Sequence, residues 1–274
     1  MKTILVVANE TLGGAPLMER VRQHAAEDDV RVIICVPRSR PRHGNIIYDE
    51  AVYDAAQVRI DLARSVLREE GIDSIGEPGD PDPFTATMDA IAEYAPDIVI
   101  ISTLPATSSG WLRRDLIERV SDSTSATVEH VVADIEAEGL PFDVTLVVAN
   151  RTAASPALHE TLKGKAAGDR RRLFVVVVPQ QGGEGLHVRQ ARGRLNQLLD
   201  RLRSDRLLAA GMIGDPDPYT ATMNALQFFR VDDIVISTLP GARSGWMRTD
   251  LIDRVRRASG KPVEHIAAEQ PTAA

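Results

Sequence analysis

The chain has 274 residues, of which 43% are hydrophobic and 26% charged, and its net charge is −7. That length suits one or two domains of about 100 to 200 residues, and the composition is that of a soluble globular protein, which excludes collagen, disorder and a disulfide scaffold. The acidic balance argues against a general nucleic-acid binder, which needs a basic footprint. Cys35 is the single cysteine, so no intramolecular disulfide forms and a reducing, cytoplasmic setting is expected. No apolar run nears the roughly 20 residues of a membrane helix. The start, Met1 to Asn9, is too short in its apolar part for a signal peptide and lacks a small-residue cleavage site.

In chain order, Thr3–Ala8 is a continuous apolar run, as in a strand buried on both faces. Ala15–Glu27 has helical composition, and Val30–Val36 is a second strand stopped by Pro37. Between Asp49 and Glu70, Val52, Ala55, Ala56, Ile60, Ala63 and Leu67 fall at helical spacing, and Gly71 ends that helix. A short strand is expected near Ser74–Gly76. Asp82-Pro83 predicts a helix start, with Asp as N-cap and Pro at the first position. Asp97–Ser102 is the fourth strand, Ser109–Val120 a helix, and Thr127–Val132 the closing strand.

The same order returns from Val144 to Ala267. Gly79-Asp80-Pro81-Asp82-Pro83-Phe84-Thr85-Ala86-Thr87-Met88 reappears 135 residues later, from Gly214 to Met223. The same shift carries Ser102-Thr103-Leu104-Pro105 onto Ser237-Thr238-Leu239-Pro240, Ser109-Gly110-Trp111 onto Ser244-Gly245-Trp246, and Glu129-His130 onto Glu264-His265. At a slightly larger shift, Ala8-Asn9-Glu10-Thr11 answers Ala149-Asn150-Arg151-Thr152. Two units, 1–136 and 141–274, are therefore expected, joined near Glu136-Ala137-Glu138-Gly139. Strands alternating with helices imply parallel pairing, hence α/β architecture as two tandem doubly wound parallel-sheet units. In such sheets ligands bind outside the carboxyl ends of the strands, where strand order reverses.

The loop after each fourth strand leads small hydroxylated residues and glycine into a helix, and free amides at a helix start attract anions. Ser109 and Ser244 are equally readable as N-caps. If the helix starts at Asp115, its carboxylate occupies the anion site and repels a phosphate at 4 Å by about 1 to 4 kcal/mol. If it starts at Ser109, which the spacing of Leu112, Leu116, Ile117 and Val120 favours, Asp115 pairs with Arg119 and Asp250 with Arg254. Trp111 and Trp246 are readable as packing staples at the helix start.

These residues resemble the universal stress protein family, in a tandem form. The resemblance rests on Gly-Asp-Pro before the third helix, Asp-Ile-Val-Ile-Ile-Ser at the fourth strand, Ser-Gly before a basic helix start, and a closing Thr-Val or Pro-Val strand. It implies a fold of the adenine nucleotide alpha hydrolase-like kind and binding of ATP or another adenine nucleotide. Nucleotide-binding members use an Asp after the first strand, a Gly-x-x-Gly loop after the fourth, and a later Gly-Ser. By that resemblance Asn9 and Asn150 take the Asp position, flanked by Thr11, Arg151 and Thr152. Ser102, Thr103, Ser109, Gly110 and Trp111, and Ser237, Thr238, Arg243, Ser244, Gly245 and Trp246, take the loops. Asn replaces Asp, Ser-Thr-Leu-Pro replaces the first glycine motif, and the later Gly-Ser is missing. Glu10 against Arg151, and Ser108 against Arg243, make a polyphosphate prefer the second unit, although the first carries Arg38, Arg40, Arg42 and His43 after its second strand. The family's closing strands pair with each other, which here implies an internal pseudo-dimer and allows a homodimer.

No Walker A motif, dinucleotide fingerprint, nucleophile elbow or metal-ligand spacing is present. Non-catalytic nucleotide binding tied to a stress response is the expected function. Its rivals are an interaction module that has lost the nucleotide and a weak nucleotide hydrolase.

Overall fold

The computed structural model describes residues 1–40, 49–106, 109–111, 115–180, 186–240 and 250–268. Two compact units result: Met1–Arg40 with Arg59–Pro141, and Pro41–Val58 with Phe142–Ala274. They differ from the sequence repeat in where residues 41–58 fall.

In the first repeat of the sequence the elements run β1 (Lys2–Val7), α1 (Ala15–Glu27), β2 (Val30–Pro37), α2 (Asp49–Glu69), β3 (Asp73–Gly79), α3 (Pro83–Tyr94), β4 (Ile98–Thr103), α4 (Leu116–Ser123) and β5 (Thr127–Val132). All strand pairs are parallel, in the order β3-β2-β1-β4-β5. The second unit repeats this with β6 (Asp143–Val148), α5 (Pro156–Ala166), β7 (Arg172–Pro179), α6 (Leu186–Ser204), β8 (Leu208–Gly214), α7 (Pro218–Phe228), β9 (Asp233–Thr238), α8 (Leu251–Ser259) and β10 (Val263–Ala267). Its sheet order, β8-β7-β6-β9-β10, is the same. The architecture is two tandem α/β units with all-parallel sheets.

Strand burial follows from helices lying on both faces of each sheet. Leu5, Val7, Ile33, Cys35, Val99 and Ile101 turn one face toward Ala86 and Ala90 of α3 and Leu116 and Val120 of α4. The alternate residues, Ile4, Val6, Val32, Ile34, Ile98 and Ile100, are equally buried. That is why these segments read as unbroken apolar runs rather than as alternating ones. In the second unit, Val147, Phe174, Val176 and Val235 pack on Leu158 and Leu162 of α5 and Leu195 and Leu198 of α6.

β3 is longer than its composition suggested. It pairs with β2 from Arg31↔Asp73 to Pro37↔Gly79, and Pro78 is tolerated because β3 is an edge strand. The repeated Gly-Asp-Pro-Asp-Pro segment proves to be architectural. A Cβ on Gly79 would lie 2.7 Å from Ala86 Cβ and 2.8 Å from Cys35 Sγ, so only glycine lets α3 approach the strand this closely. Gly214 stands in the same relation to Ala221, at 2.7 Å. Asp82 then caps α3 by accepting from the Thr85 amide at 3.0 Å, with Pro83 at the first turn, and Asp217 does the same for Thr220 at 2.9 Å.

Loss of either cap, Asp82→Ala or Asp217→Ala, is expected to cost about 1 kcal/mol in denaturant unfolding without changing the fold. Cys35 is buried beneath α3, and burial pushes its thiol up to about 12, with Glu77 and Asp89 adding to the effect. At pH 8 its alkylation in the native state is expected to be at least about a thousandfold slower than in the unfolded chain; rapid native labelling would show that the α3 face opens.

Candidate functional site

β1 lies between β2 and β4, and β6 between β7 and β9, so strand order reverses at the carboxyl ends of β1 and β6. After Ala8 and Ala149, the second residues past those ends are Asn9 and Asn150. Both are buried, at 8% and 4% exposure. Each turns its amide nitrogen back to the neighbouring strand: Asn9 Nδ2 donates to the Pro37 carbonyl at 3.4 Å, and Asn150 Nδ2 to Pro179 at 2.7 Å. Two residues on, Thr11 Oγ1 donates to the Ser102 carbonyl at 3.1 Å, and Thr152 Oγ1 to Ser237 at 3.0 Å. A short loop is thus tied to the strands on both of its sides, identically in the two units. Asn, which donates, does here what Asp cannot, because a carboxylate facing the Pro37 or Pro179 carbonyl would be repelled.

The residues ending β4 and β9 divide into two roles. Ser102 and Ser237 are each 1% exposed, and their hydroxyls have no partner among the described residues. Thr103 and Thr238 are committed: their hydroxyls share a hydrogen bond with His130 Nε2 at 2.9 Å and His265 Nε2 at 2.8 Å on the adjacent closing strands. Burial lowers the pKa of both histidines. Glu129 and Glu264, one residue earlier, serve other elements, as strand alternation requires. Glu129 binds Arg20 of α1 at 2.7 Å and His24 at 3.1 Å, and Glu264 binds Lys165 of α5 at 3.0 Å.

The helix start after β4 differs from expectation. The sequence places it at Ser109, whereas α4 begins at Leu116 with Asp115 as N-cap residue. Asp115 is left-handed, φ 49° and ψ 38°, and Asp250 before α8 is the same at 48° and 37°. One residue in that region breaks any continuous helix across it. The apolar spacing ran through the break because Trp111 and Leu116 pack on the same core. Ser109 instead donates its amide to the Pro105 carbonyl at 2.8 Å, and no described residue crowds the Cβ side of Gly110. Trp111 is a packing residue. The ion pairs expected between Asp115 and Arg119 and between Asp250 and Arg254 also fail to form. Arg119 lies over the Phe84 ring at 3.9 Å and Arg254 over Tyr219 at 4.1 Å, the cation–π contact drawing each guanidinium onto the preceding helix. Neither aspartate side chain caps its helix, and both residues are exposed beside its first amides. Arg243, Ser244, Gly245 and Trp246 lie outside the described residues, as do Arg42 and His43. Arg38 donates to the Gly79 carbonyl at 2.9 Å and so completes the end of β3.

A residue that loop reading missed supplies the positive charge. Arg194, in the middle of α6, donates to Asn150 Oδ1 at 2.8 Å. Burial lowers its pKa and the neighbouring Arg151 charge lowers it further. Arg194 thus holds one cation on the buried Asn150, and Arg151, the next residue in the chain, adds a second positive charge that it feels. The 135-residue shift carries Arg59 of α2 onto Arg194, which is the signal that would have found both. Arg59 is half-buried; burial lowers it to about 10, and Glu10 acts against that lowering. Asn9 Oδ1, the counterpart of the atom that Arg194 holds, has no partner among the described residues.

No family model matches the chain, and no curated protein matches it. Among solved structures it is similar to a universal stress protein from Archaeoglobus fulgidus DSM 4304, with 13% identity and a TM-score of 0.37, covering 97% of this chain and 96% of that one. It is also similar to a functionally unknown protein from Pseudomonas aeruginosa PAO1, with 14% identity and a TM-score of 0.29, covering 98% and 93%. The fold class rests on the strand order itself. Among the described residues no group of three or more His, Cys, Asp or Glu is placed to hold a metal, and no helix is long and apolar enough to cross a membrane.

The histidine contacts set a pH window. A depressed histidine pKa means stability is complete above the unfolded value of 6.5 and is lost as pH falls below it. Glu129, lowered first by its hydrogen bond to Arg20, adds a second loss only below about 4.5. Denaturation midpoints are expected to decline between pH 6.5 and 5, and the double variant His130→Gln, His265→Gln is expected to flatten that decline.

Proposed function

We propose that this chain is a tandem universal-stress-type protein that binds an adenine nucleotide at the strand-order reversal of an α/β unit without turning it over, as part of a stress response. The observation that carries the reading is the Arg194–Asn150 contact, which holds a half-buried cation next to Arg151 at the carboxyl end of β6. Two guanidiniums in a partly desolvated corner suit phosphate oxygens, which they meet in paired hydrogen bonds. Ser237 Oγ, buried and without a partner among the described residues, is one further polar group at the same strand ends. Thr152, Thr238 and Asn150 position this corner, since their own side-chain hydrogen bonds are spent on the scaffold.

The reading moves the anion away from the helix start that the sequence favoured. Asp250 would oppose a phosphate placed on the α8 amides by about 1 to 4 kcal/mol at 4 Å, whereas the Arg194 corner carries no such penalty of its own. The adenine identity comes from the sequence resemblance; the fit of the corner is to the phosphates. Asp115 and Asp250 favour the rival, an interaction module without a nucleotide.

Calorimetric titration separates the two. ATP or ADP is expected to bind the wild-type chain and to weaken about ten- to a hundredfold on Arg194→Gln, the loss of one charge-assisted contact. The nucleotide itself should be recovered intact after prolonged incubation. No heat and no melting shift at millimolar ATP, ADP and AMP would leave the interaction module standing.

A further inference from the structure

The two units repeat the same scaffold hydrogen bonds but differ in the charges that surround them. In the second unit, Arg194 donates to Asn150 Oδ1 and the next residue in the chain is Arg151. In the first, the equivalent acceptor, Asn9 Oδ1, is buried and has no partner among the described residues. The arginine at the same helix position is present, as Arg59, but the residue that follows Asn9 is Glu10. We infer that Glu10 is the selector that closes the first unit to phosphate-bearing ligands, so that the chain carries one anion site rather than two. This rests on the nucleotide reading of the second unit and assigns its stoichiometry.

Local charge separates the two corners. At the second corner two guanidiniums repel each other, and a polyanion relieves that repulsion when it arrives. At the first corner the Glu10 carboxylate already opposes the Arg59 charge, and Glu10 works to hold Arg59 protonated against its burial. A phosphate entering there meets one guanidinium and one carboxylate, where the second unit offers two guanidiniums. The unpartnered Asn9 Oδ1 adds to the discrimination. It is an acceptor, so it repels phosphate oxygens, whereas Asn150 Oδ1 is shielded by Arg194. Glu10 is exposed, on the loop just past β1, so replacing it disturbs no core contact. The duplicated scaffold is thus compatible with either charge, and one position decides which ligand class is admitted.

Inorganic triphosphate is the probe, titrated by calorimetry into the full chain, with thermal melts to show that each variant is folded. The wild type is expected to bind one equivalent. Glu10→Arg is expected to bind two, and Glu10→Arg combined with Arg194→Gln is expected to keep one, now lost on adding Arg59→Gln. The Arg194→Gln variant alone is expected to weaken triphosphate at least tenfold. Two equivalents of similar affinity in the wild type would overturn the inference, as would a Glu10→Arg chain that still binds one. A wild type that binds none strikes the reading of the second unit itself, and the inference falls with it; the wild-type titration alone tells that failure from the others.

Discussion

Everything at the candidate site depends on β1 and β6 being central strands with neighbours that run on to opposite sides. Parallel pairing of β1 with both β2 and β4 leaves the residues just past its end between two strands, and the backbone groups there need partners. Asn9 and Thr11 supply them on one side each, through the Pro37 and Ser102 carbonyls. Asn150 and Thr152 repeat the device through Pro179 and Ser237. The short loop is therefore fixed before any ligand arrives, which is the condition for a binding corner that costs little ordering entropy to use.

Duplication kept that scaffold and varied the charge around it, and the variation is not confined to the ligand end. At the amino ends of the strands, the register pair Ile4↔Ile98 of the first sheet becomes Thr145↔Asp233 in the second. Arg172 joins them, donating to Asp233 at 2.7 Å, Thr145 at 2.8 Å and Asp143 at 3.0 Å, while Lys165 reaches Asp233 at 2.6 Å. Burial works against the Lys165 charge, but its contacts with Asp233 and Glu264 outweigh that and raise its pKa. A half-buried ionic network of this kind gives little net stability over an apolar pair, yet breaking it singly leaves charges uncompensated. The same backbone thus accommodates an apolar seam in one copy and an ion network in the other.

The fold was legible because its signals are local. Continuous apolar runs marked the inner strands, Asp-Pro marked the starts of α3 and α7, and the 135-residue repeat marked the duplication. Two features escaped for physical reasons. The start of α4 was misplaced because a single left-handed aspartate is invisible to hydrophobic spacing when residues on both sides of it, Trp111 and Leu116, face one core. Arg194 escaped because the rule that ligands gather at strand ends directs attention to loops, while its guanidinium arrives there from the middle of a helix. Long side chains carry charge well away from the backbone that bears them, so a site built partly from α6 has no contiguous motif to read. The side chains of Ser102 and Ser237 were found in sequence, but that their hydroxyls are buried with no partner among the described residues is visible only in the folded chain.

A crystal structure of the chain grown with ADP decides between the Arg194 corner and the helix start. Phosphate oxygens are expected within hydrogen-bonding distance of Arg194 and Arg151 at the carboxyl end of β6, with the Asn150–Pro179 contact intact. Phosphate density seated instead on the first turn of α8 beside Asp250, or a second unit with no nucleotide under saturating ADP, would rule that corner out.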